Sequence, residues 1–189
     1  MDQTCTHCLF GKMHNLSFQN SQFTTSSPFE LVHSDLWGPA PVAFVNRFRY
    51  YILFVDHYSR FSWLYLLKSK SNAFTKFVHF NAMIENQFSS KIKTFRSDRG
   101  GEFTSSDFKS YLSQHGITHH LFYPYTPQQN GVVERKHRHI IETTVTLLSQ
   151  AFMPYSYWTF ATQATINLIN LLPTLVLGWK SPWFKLCSS

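Results

Sequence analysis

Tyr50-Tyr51-Ile52-Leu53-Phe54-Val55-Asp56 and Phe61-Ser62-Trp63-Leu64-Tyr65-Leu66-Leu67 are two runs of aromatic and aliphatic residues, separated only by His57-Tyr58-Ser59-Arg60. Such side chains favour a pleated backbone and a four-residue break suits a hairpin loop, so the pair predicts two antiparallel strands, both expected to be central in a sheet. Upstream, Phe29 to Leu36 alternates Leu31, His33 and Asp35 with Val32, Ser34 and Leu36, the period of a strand, and Trp37-Gly38-Pro39 ends it. Downstream, Phe74, Phe77, Val78, Ile84 and Phe88 fall at helical spacing behind Ser71, a candidate cap. Lys91 to Asp98 predicts another strand, Ser106 to His115 a helix closed by Gly116, and Ile117 to Phe122 a fifth strand. Tyr123 to Asn130, with its two prolines and three amides, reads as a loop. A long helix bearing Ile140, Ile141, Leu147 and Leu148 follows, and a last helix is expected over Tyr155 to Leu171. This order predicts an α/β fold, a mixed sheet with helices packed on its faces.

A chain of 189 residues buries roughly 70% of the surface its unfolded form exposes, enough for one real core. Its 19 Phe, 9 Tyr and 5 Trp exclude a disordered chain. A formal charge of +7 and a pI near 9.4 point to a polyanionic partner. Cys5, Cys8 and Cys187 make no disulfide framework, so a reducing, intracellular setting is expected rather than secretion. The longest apolar stretch, 160–178, is interrupted by Gln163, Asn167, Asn170 and Pro173, so no membrane span is expected. Residues 1–28 read as an irregular leader and 29–189 as the folded domain.

Only ten acids occur, and three stand at edges of predicted elements. Asp35 lies at the end of the first strand, Asp98 ends the fourth, and Glu134 is expected in the first turn of the helix after the amide-rich loop. Open α/β sheets bind ligands at the carboxyl ends of adjacent strands. Carboxylates meeting there repel one another unless divalent cations lie between them, and oxygen-only ligation indicates Mg²⁺ or Mn²⁺. Two such ions, roughly 3.5–4 Å apart, can bracket a phosphodiester. The plainer use of each residue is a strand-end turn, a turn into Arg99-Gly100-Gly101, and a helix-dipole partner. Asp56 and Glu102 are rival carboxylates, and the residues alone leave the choice open.

Longer motifs bear on it. His33-Ser34-Asp35-Leu36-Trp37-Gly38-Pro39, Asp56-His57-Tyr58-Ser59-Arg60, Arg96-Ser97-Asp98 with Gly100-Gly101-Glu102-Phe103, and Tyr125-Thr126-Pro127-Gln128-Gln129-Asn130-Gly131-Val132-Val133-Glu134-Arg135-Lys136 together resemble the integrase core of copia-type LTR retrotransposons, over nearly the whole chain. Such integrases carry an Asp, Asp, Glu triad with 35 residues between the last two, and 35 residues separate Asp98 from Glu134. The resemblance implies a ribonuclease H-like fold, a five-stranded mixed sheet flanked by helices. It also implies catalysis by Asp35, Asp98 and Glu134 on two Mg²⁺ or Mn²⁺ ions, Asp35 bridging both. The implied reaction joins a DNA 3′ hydroxyl to a target phosphodiester. The chain departs from the family at Arg99, where Asn is usual.

Cys5 and Cys8 resemble the tail of the zinc-binding segment that precedes this core, but the upstream His pair is absent, so Zn²⁺ is not expected to bind here. DNA contacts are expected from Gln128, Gln129 and Asn130 in the loop, and from Lys136 and Arg138 on the helix. His137 and Arg138 share the face of Glu134 at i+3 and i+4. Lys91, Lys93, Arg96 and Arg99 are expected to form a second basic cluster near Asp98. By resemblance the full-length protein is expected to form homo-oligomers and to act in the nucleus on element ends and target DNA. The alternatives are an inactive retrotransposon-derived fragment that only binds nucleic acid, and a nuclease that only hydrolyses.

Overall fold

The computed structural model describes residues 25–41, 47–122 and 127–188, with the helical backbone but not the side chains of 127–130. Five strands form one mixed sheet: β1 (Leu31–Trp37), β2 (Tyr50–Asp56), β3 (Ser62–Leu67), β4 (Thr94–Ser97) and β5 (Thr118–Leu121). Their order is β3-β2-β1-β4-β5, with β2 antiparallel to both β1 and β3, and β1, β4 and β5 parallel. This is the five-stranded mixed sheet flanked by helices of the ribonuclease H-like fold. The hairpin forms as the sequence predicts, but only β2 is interior. β3 is an edge strand, because hydrophobic periodicity reports buried faces and not the number of paired neighbours.

The edge is closed by a side chain. Asn170, on α5 (Trp158–Leu171), accepts from the Ser62 amide through Oδ1 at 3.0 Å and donates to the Ser62 carbonyl through Nδ2 at 2.8 Å. One amide thus satisfies both outward backbone groups of Ser62 at the start of the edge strand, and Asn170 is itself buried. Asn170→Ala leaves both Ser62 groups without this partner, so a loss of about 1–3 kcal/mol of stability is expected, to be read from urea unfolding midpoints.

Alternation along the strands sends Val32, Ile52, Phe54 and Phe95 to one face, where α1 (Ala73–Phe88) and α3 (Ser106–Gln114) supply Phe77, Phe80, Ile84 and Phe108. The opposite face sends Tyr51, Leu53 and Val55 against Val133, Ile140 and Leu148 of α4 (Pro127–Gln150) and Ile166 and Ile169 of α5. The turn before α1 is capped by Ser69, not by the expected Ser71, whose own amide donates to the Ser69 hydroxyl. A short helix, α2 (Gly101–Thr104), precedes α3, whose cap is Ser105. Beyond the expected last helix lies α6 (Pro182–Cys187), capped by Ser181 with Pro182 at its first position, a signal the sequence carried. Gly38 is obligatory where β1 ends: at φ +127 a Cβ there would lie 2.6 Å from the Arg49 carbonyl oxygen. Among the described residues no helix is long and apolar enough to cross a membrane.

His119 gives the fold an acid-sensitive element. Its Nε2 lies 3.0 Å from the Ser97 hydroxyl and its ring packs on Phe95 and Phe108. Burial, with help from the charges of Lys109 and His120, lowers its pKa from 6.5 to about 4. The unfolded chain therefore binds one more proton than the native chain between those values, and stability rises with pH across that window. Stability is expected to be complete above pH 6.5 and to fall as pH drops toward about 4. His119→Gln should flatten that part of a plot of unfolding free energy against pH.

Candidate active site

The parallel pairing of β1 and β4 sets Leu31 against Thr94, Val32 against Phe95 and His33 against Arg96. Carried two residues further, this register brings Asp35 opposite Asp98, at the carboxyl ends of strands about 4.8 Å apart. Each carboxylate is held by backbone: the Leu36 amide donates to Asp35 Oδ1 at 2.8 Å, and the Gly100 amide to Asp98 Oδ1 at 3.0 Å. Burial pushes the Asp98 carboxyl above its usual range, the Gly100 amide draws it down, and the charges of Asp35 and Glu102 push it up again. Two carboxylates brought this close form an all-oxygen donor pair suited to a hard divalent cation.

Glu102 is the second carboxylate felt by Asp98, after Asp35. Gly100 makes room for it, since a Cβ there would lie 2.7–2.9 Å from the Glu102 carboxyl atoms. Glu134 is differently placed. The helix that carries it begins at Pro127, so Glu134 stands in its third turn rather than its first, and its side chain is exposed. Proline lacks an N–H and presets a helical φ, which lets α4 start inside the amide-rich stretch read as loop. Among the described residues no three His, Cys, Asp or Glu side chains converge closely enough to hold one ion. The sheet therefore brings Asp35 and Asp98 together, and Glu134 is not gathered with them.

One turn beyond Glu134, His137 turns inward. Its Nδ1 lies 2.9 Å from the Tyr51 hydroxyl and its Nε2 lies 3.4 Å from Asp35 Oδ2, without the alignment of a hydrogen bond. Tyr51 is buried and stacks on Trp37 at 5.1 Å, and burial followed by the Asp35 charge raises its hydroxyl well above the ordinary value. Sequence reasoning set His137 on the face of Glu134 but missed its contact with Asp35.

The expected DNA-binding residues are unevenly placed. Arg138 is exposed on α4. Lys136 reaches back toward the Arg60 carbonyl, 3.4 Å from Nζ, and burial with the nearby Arg60 charge lowers its pKa to about 8. The side chains of Gln128, Gln129 and Asn130, and both Cys5 and Cys8, lie outside the described residues. The second basic cluster is not a single group. Lys93 pairs with Glu30 at 2.9 Å at the start of β4, about five residues or ~16 Å along the strand from Asp98. Arg96 lies in the sheet, where the register aligns His33, Arg96 and His120 across three strands behind the carboxylate pair. His33 is buried beside His57, with 2.8 Å between ring nitrogens, and burial holds it well below the usual histidine range.

Asp56 is removed as a rival ligand by its own bonds. It accepts from the Phe29 amide at 2.8 Å and from the amide and hydroxyl of Ser59 at 2.7 and 2.6 Å, closing the hairpin loop. In the β1–β2 register it opposes Val32, whereas Asp35 opposes Leu53, three residues away.

The integrase core domain family matches residues 25–127 of this chain. The retrovirus-related Pol polyprotein from transposon RE2 of Arabidopsis thaliana is 46% identical over 183 residues, covering 97% of this chain and 12% of that protein. The retrovirus-related Pol polyprotein from transposon TNT 1-94 of Nicotiana tabacum is 42% identical over 178 residues, covering 94% of this chain and 13% of that protein. The chain thus spans about an eighth of the length of these relatives. Among solved structures, the simian T-cell lymphotropic virus intasome in complex with PP2A regulatory subunit B56 gamma superposes with a TM-score of 0.70 at 20% identity, over 86% of this chain and 56% of that one. The HTLV-2 integrase catalytic core domain in complex with magnesium superposes with a TM-score of 0.62 at 18% identity, over 85% of this chain and 97% of that one. At such identities these two likenesses speak for the fold alone. With the family matched over more than half its length, the chain belongs to the integrase core domain family, closely related to the Pol polyproteins of copia-type LTR retrotransposons.

Proposed function

We propose that this chain is the catalytic core of a DNA-joining enzyme, in which Asp35, Asp98 and Glu134 hold Mg²⁺ or Mn²⁺ and a DNA 3′ hydroxyl is joined to a target phosphodiester. The reading is carried by the placement of Asp35 and Asp98 just beyond the paired residues of the parallel strands β1 and β4, where the charge of Asp35 acts on the Asp98 carboxyl. Bound divalent ions would supply Lewis acidity at the scissile phosphate and lower the pKa of the attacking hydroxyl. The residues of the chain do the rest: Asp35 and Asp98 present a fixed oxygen pair, and Arg138 offers a cation to backbone phosphate. The core is assigned to 29–189, with Cys5 and Cys8 of 1–28 belonging to a zinc-binding segment. The full-length protein acts as an oligomer on nuclear DNA, and the exposed Leu171 at the end of α5 with Leu175, Val176 and Trp179 beyond it give apolar surface for such contacts.

A second reading, DNA binding without turnover, draws on the separation of Glu134 from the pair. Strand-transfer assays on labelled element ends, in Mg²⁺ or Mn²⁺, separate the readings. Joined products are expected. Salt-sensitive binding with no metal-dependent product would favour the inactive fragment, and cleavage without joining would favour a nuclease.

A further inference from the structure

We propose that Tyr51 and His137 are positioning residues that fix the orientation of Asp35 and the rotation of α4. The inference rests on the reading of Asp35 as a metal ligand and assigns roles to two residues outside the triad. Three elements meet here: β1 brings Asp35, β2 brings Tyr51, and α4 brings His137. Tyr51 and His137 are both buried, so the atoms they present to one another have little access to water.

His137 Nδ1 lies 2.9 Å from the Tyr51 hydroxyl oxygen and its Nε2 lies 3.4 Å from Asp35 Oδ2, so the imidazole stands between the tyrosine and the carboxylate with one ring nitrogen toward each. His137 Nε2 has no other partner among the described residues. The contact is longer than a formed hydrogen bond and lacks its alignment.

Two consequences follow from this placement. Asp35 Oδ1 is held by the Leu36 amide and Oδ2 faces the imidazole, so a group of the chain stands at each carboxylate oxygen. Outer-shell donors of this kind typically change metal affinity by about 10–100-fold when removed. His137 also stands three residues after Glu134, one turn along the same helix face. Docking His137 on Tyr51 therefore sets the direction in which α4 presents Glu134.

The test is Mn²⁺ binding by calorimetry on the whole chain, with thermal melting and metal-free DNA binding measured alongside. Tyr51→Phe keeps the ring but removes the hydroxyl, and is expected to weaken Mn²⁺ binding by about tenfold or more with DNA binding unchanged. His137→Leu should weaken it similarly, while His137→Gln, which returns an N–H donor near the Nε2 position, should restore most of it. If His137→Leu fails to fold, Tyr51→Phe decides alone. Asp35→Asn losing Mn²⁺ while Tyr51→Phe binds it like the wild type would overturn this inference and leave the metal reading standing. Wild-type protein that takes up no Mn²⁺ overturns the metal reading and this inference with it.

Discussion

Asp35→Asn is expected to abolish metal-dependent strand transfer, with a loss of about three orders of magnitude or more, while leaving the folded protein as stable as before or slightly more so. Metal-assisted charge stabilisation at a phosphoryl centre is worth several kcal/mol, and each ~1.4 kcal/mol is tenfold in rate. Asparagine keeps the shape of the side chain and one oxygen to accept from the Leu36 amide, so the bond now made at 2.8 Å survives. What disappears is the negative charge that pushes up the carboxyl of Asp98. Removing one of two facing like charges relieves repulsion, so stability and activity should move apart, as they do where a site is built at the expense of the fold. The checks are labelled-oligonucleotide joining in Mg²⁺ and Mn²⁺, a melting curve, and DNA binding without metal. Undiminished joined product in the variant would remove Asp35 from the chemistry.

The approach of Asp35 to Asp98 was legible in the sequence because it needs only two facts. Two strands must be parallel, and each must carry an acid near its carboxyl end. Both are local patterns, and alternation then fixes which face the acids share. The position of Glu134 was less legible. Spacing along the chain places it on a helix, but where that helix starts depends on whether Pro127 breaks or begins it, and composition favoured the loop. Pro127 was a signal that could have been read as a first helical residue. The Tyr51–His137 contact joins residues 86 apart, and nothing in either local pattern announces it.

Much of the aromatic content packs as core on the face covered by α1 and α3. Phe54, Phe77, Phe80, Phe95 and Phe108 form a contiguous group there. The edge position of β3 was not legible in its sequence because its residues are as apolar as those of an interior strand. The reason lies in the helix beyond it: Asn170 occupies the backbone groups of Ser62, and the flanking residues need no polar disguise there. Asp56 shows the converse. As a carboxylate in a motif it invited a catalytic role, and the structure shows it terminating the hairpin by accepting from two backbone amides and a hydroxyl.

Phe54→Ala is the substitution expected to cost the fold most. The Phe54 ring is fully buried and lies parallel to Phe80, with centroids 4.3 Å apart and an interplanar angle of 8°. Tyr65, Phe77 and Phe95 surround it at 5.9, 6.0 and 6.3 Å. Truncation removes the shared partner of four rings at once, and helices packed on a sheet cannot close that gap without moving α1. Phe-to-Ala changes in such cores cost about 3–5 kcal/mol, against a total stability on the order of 5–15 kcal/mol. For a chain of this length that corresponds to a melting temperature lowered on the order of 10 °C. Phe152→Ala is the matched control: Phe152 is 95% exposed, so its removal should change stability by less than ~0.5 kcal/mol. The two large effects then differ in kind. In the β1–β2 register Phe54 opposes Ser34, the residue before Asp35, but its side chain points to the other face of the sheet from the carboxylates. Activity lost through Phe54→Ala should therefore return on cooling, in proportion to the folded fraction seen by circular dichroism, whereas activity lost through Asp35→Asn should not return at any temperature. An Asp35→Asn variant rescued by cooling, or a Phe54→Ala variant inactive while fully folded, would contradict this division between the carboxylate face and the aromatic face.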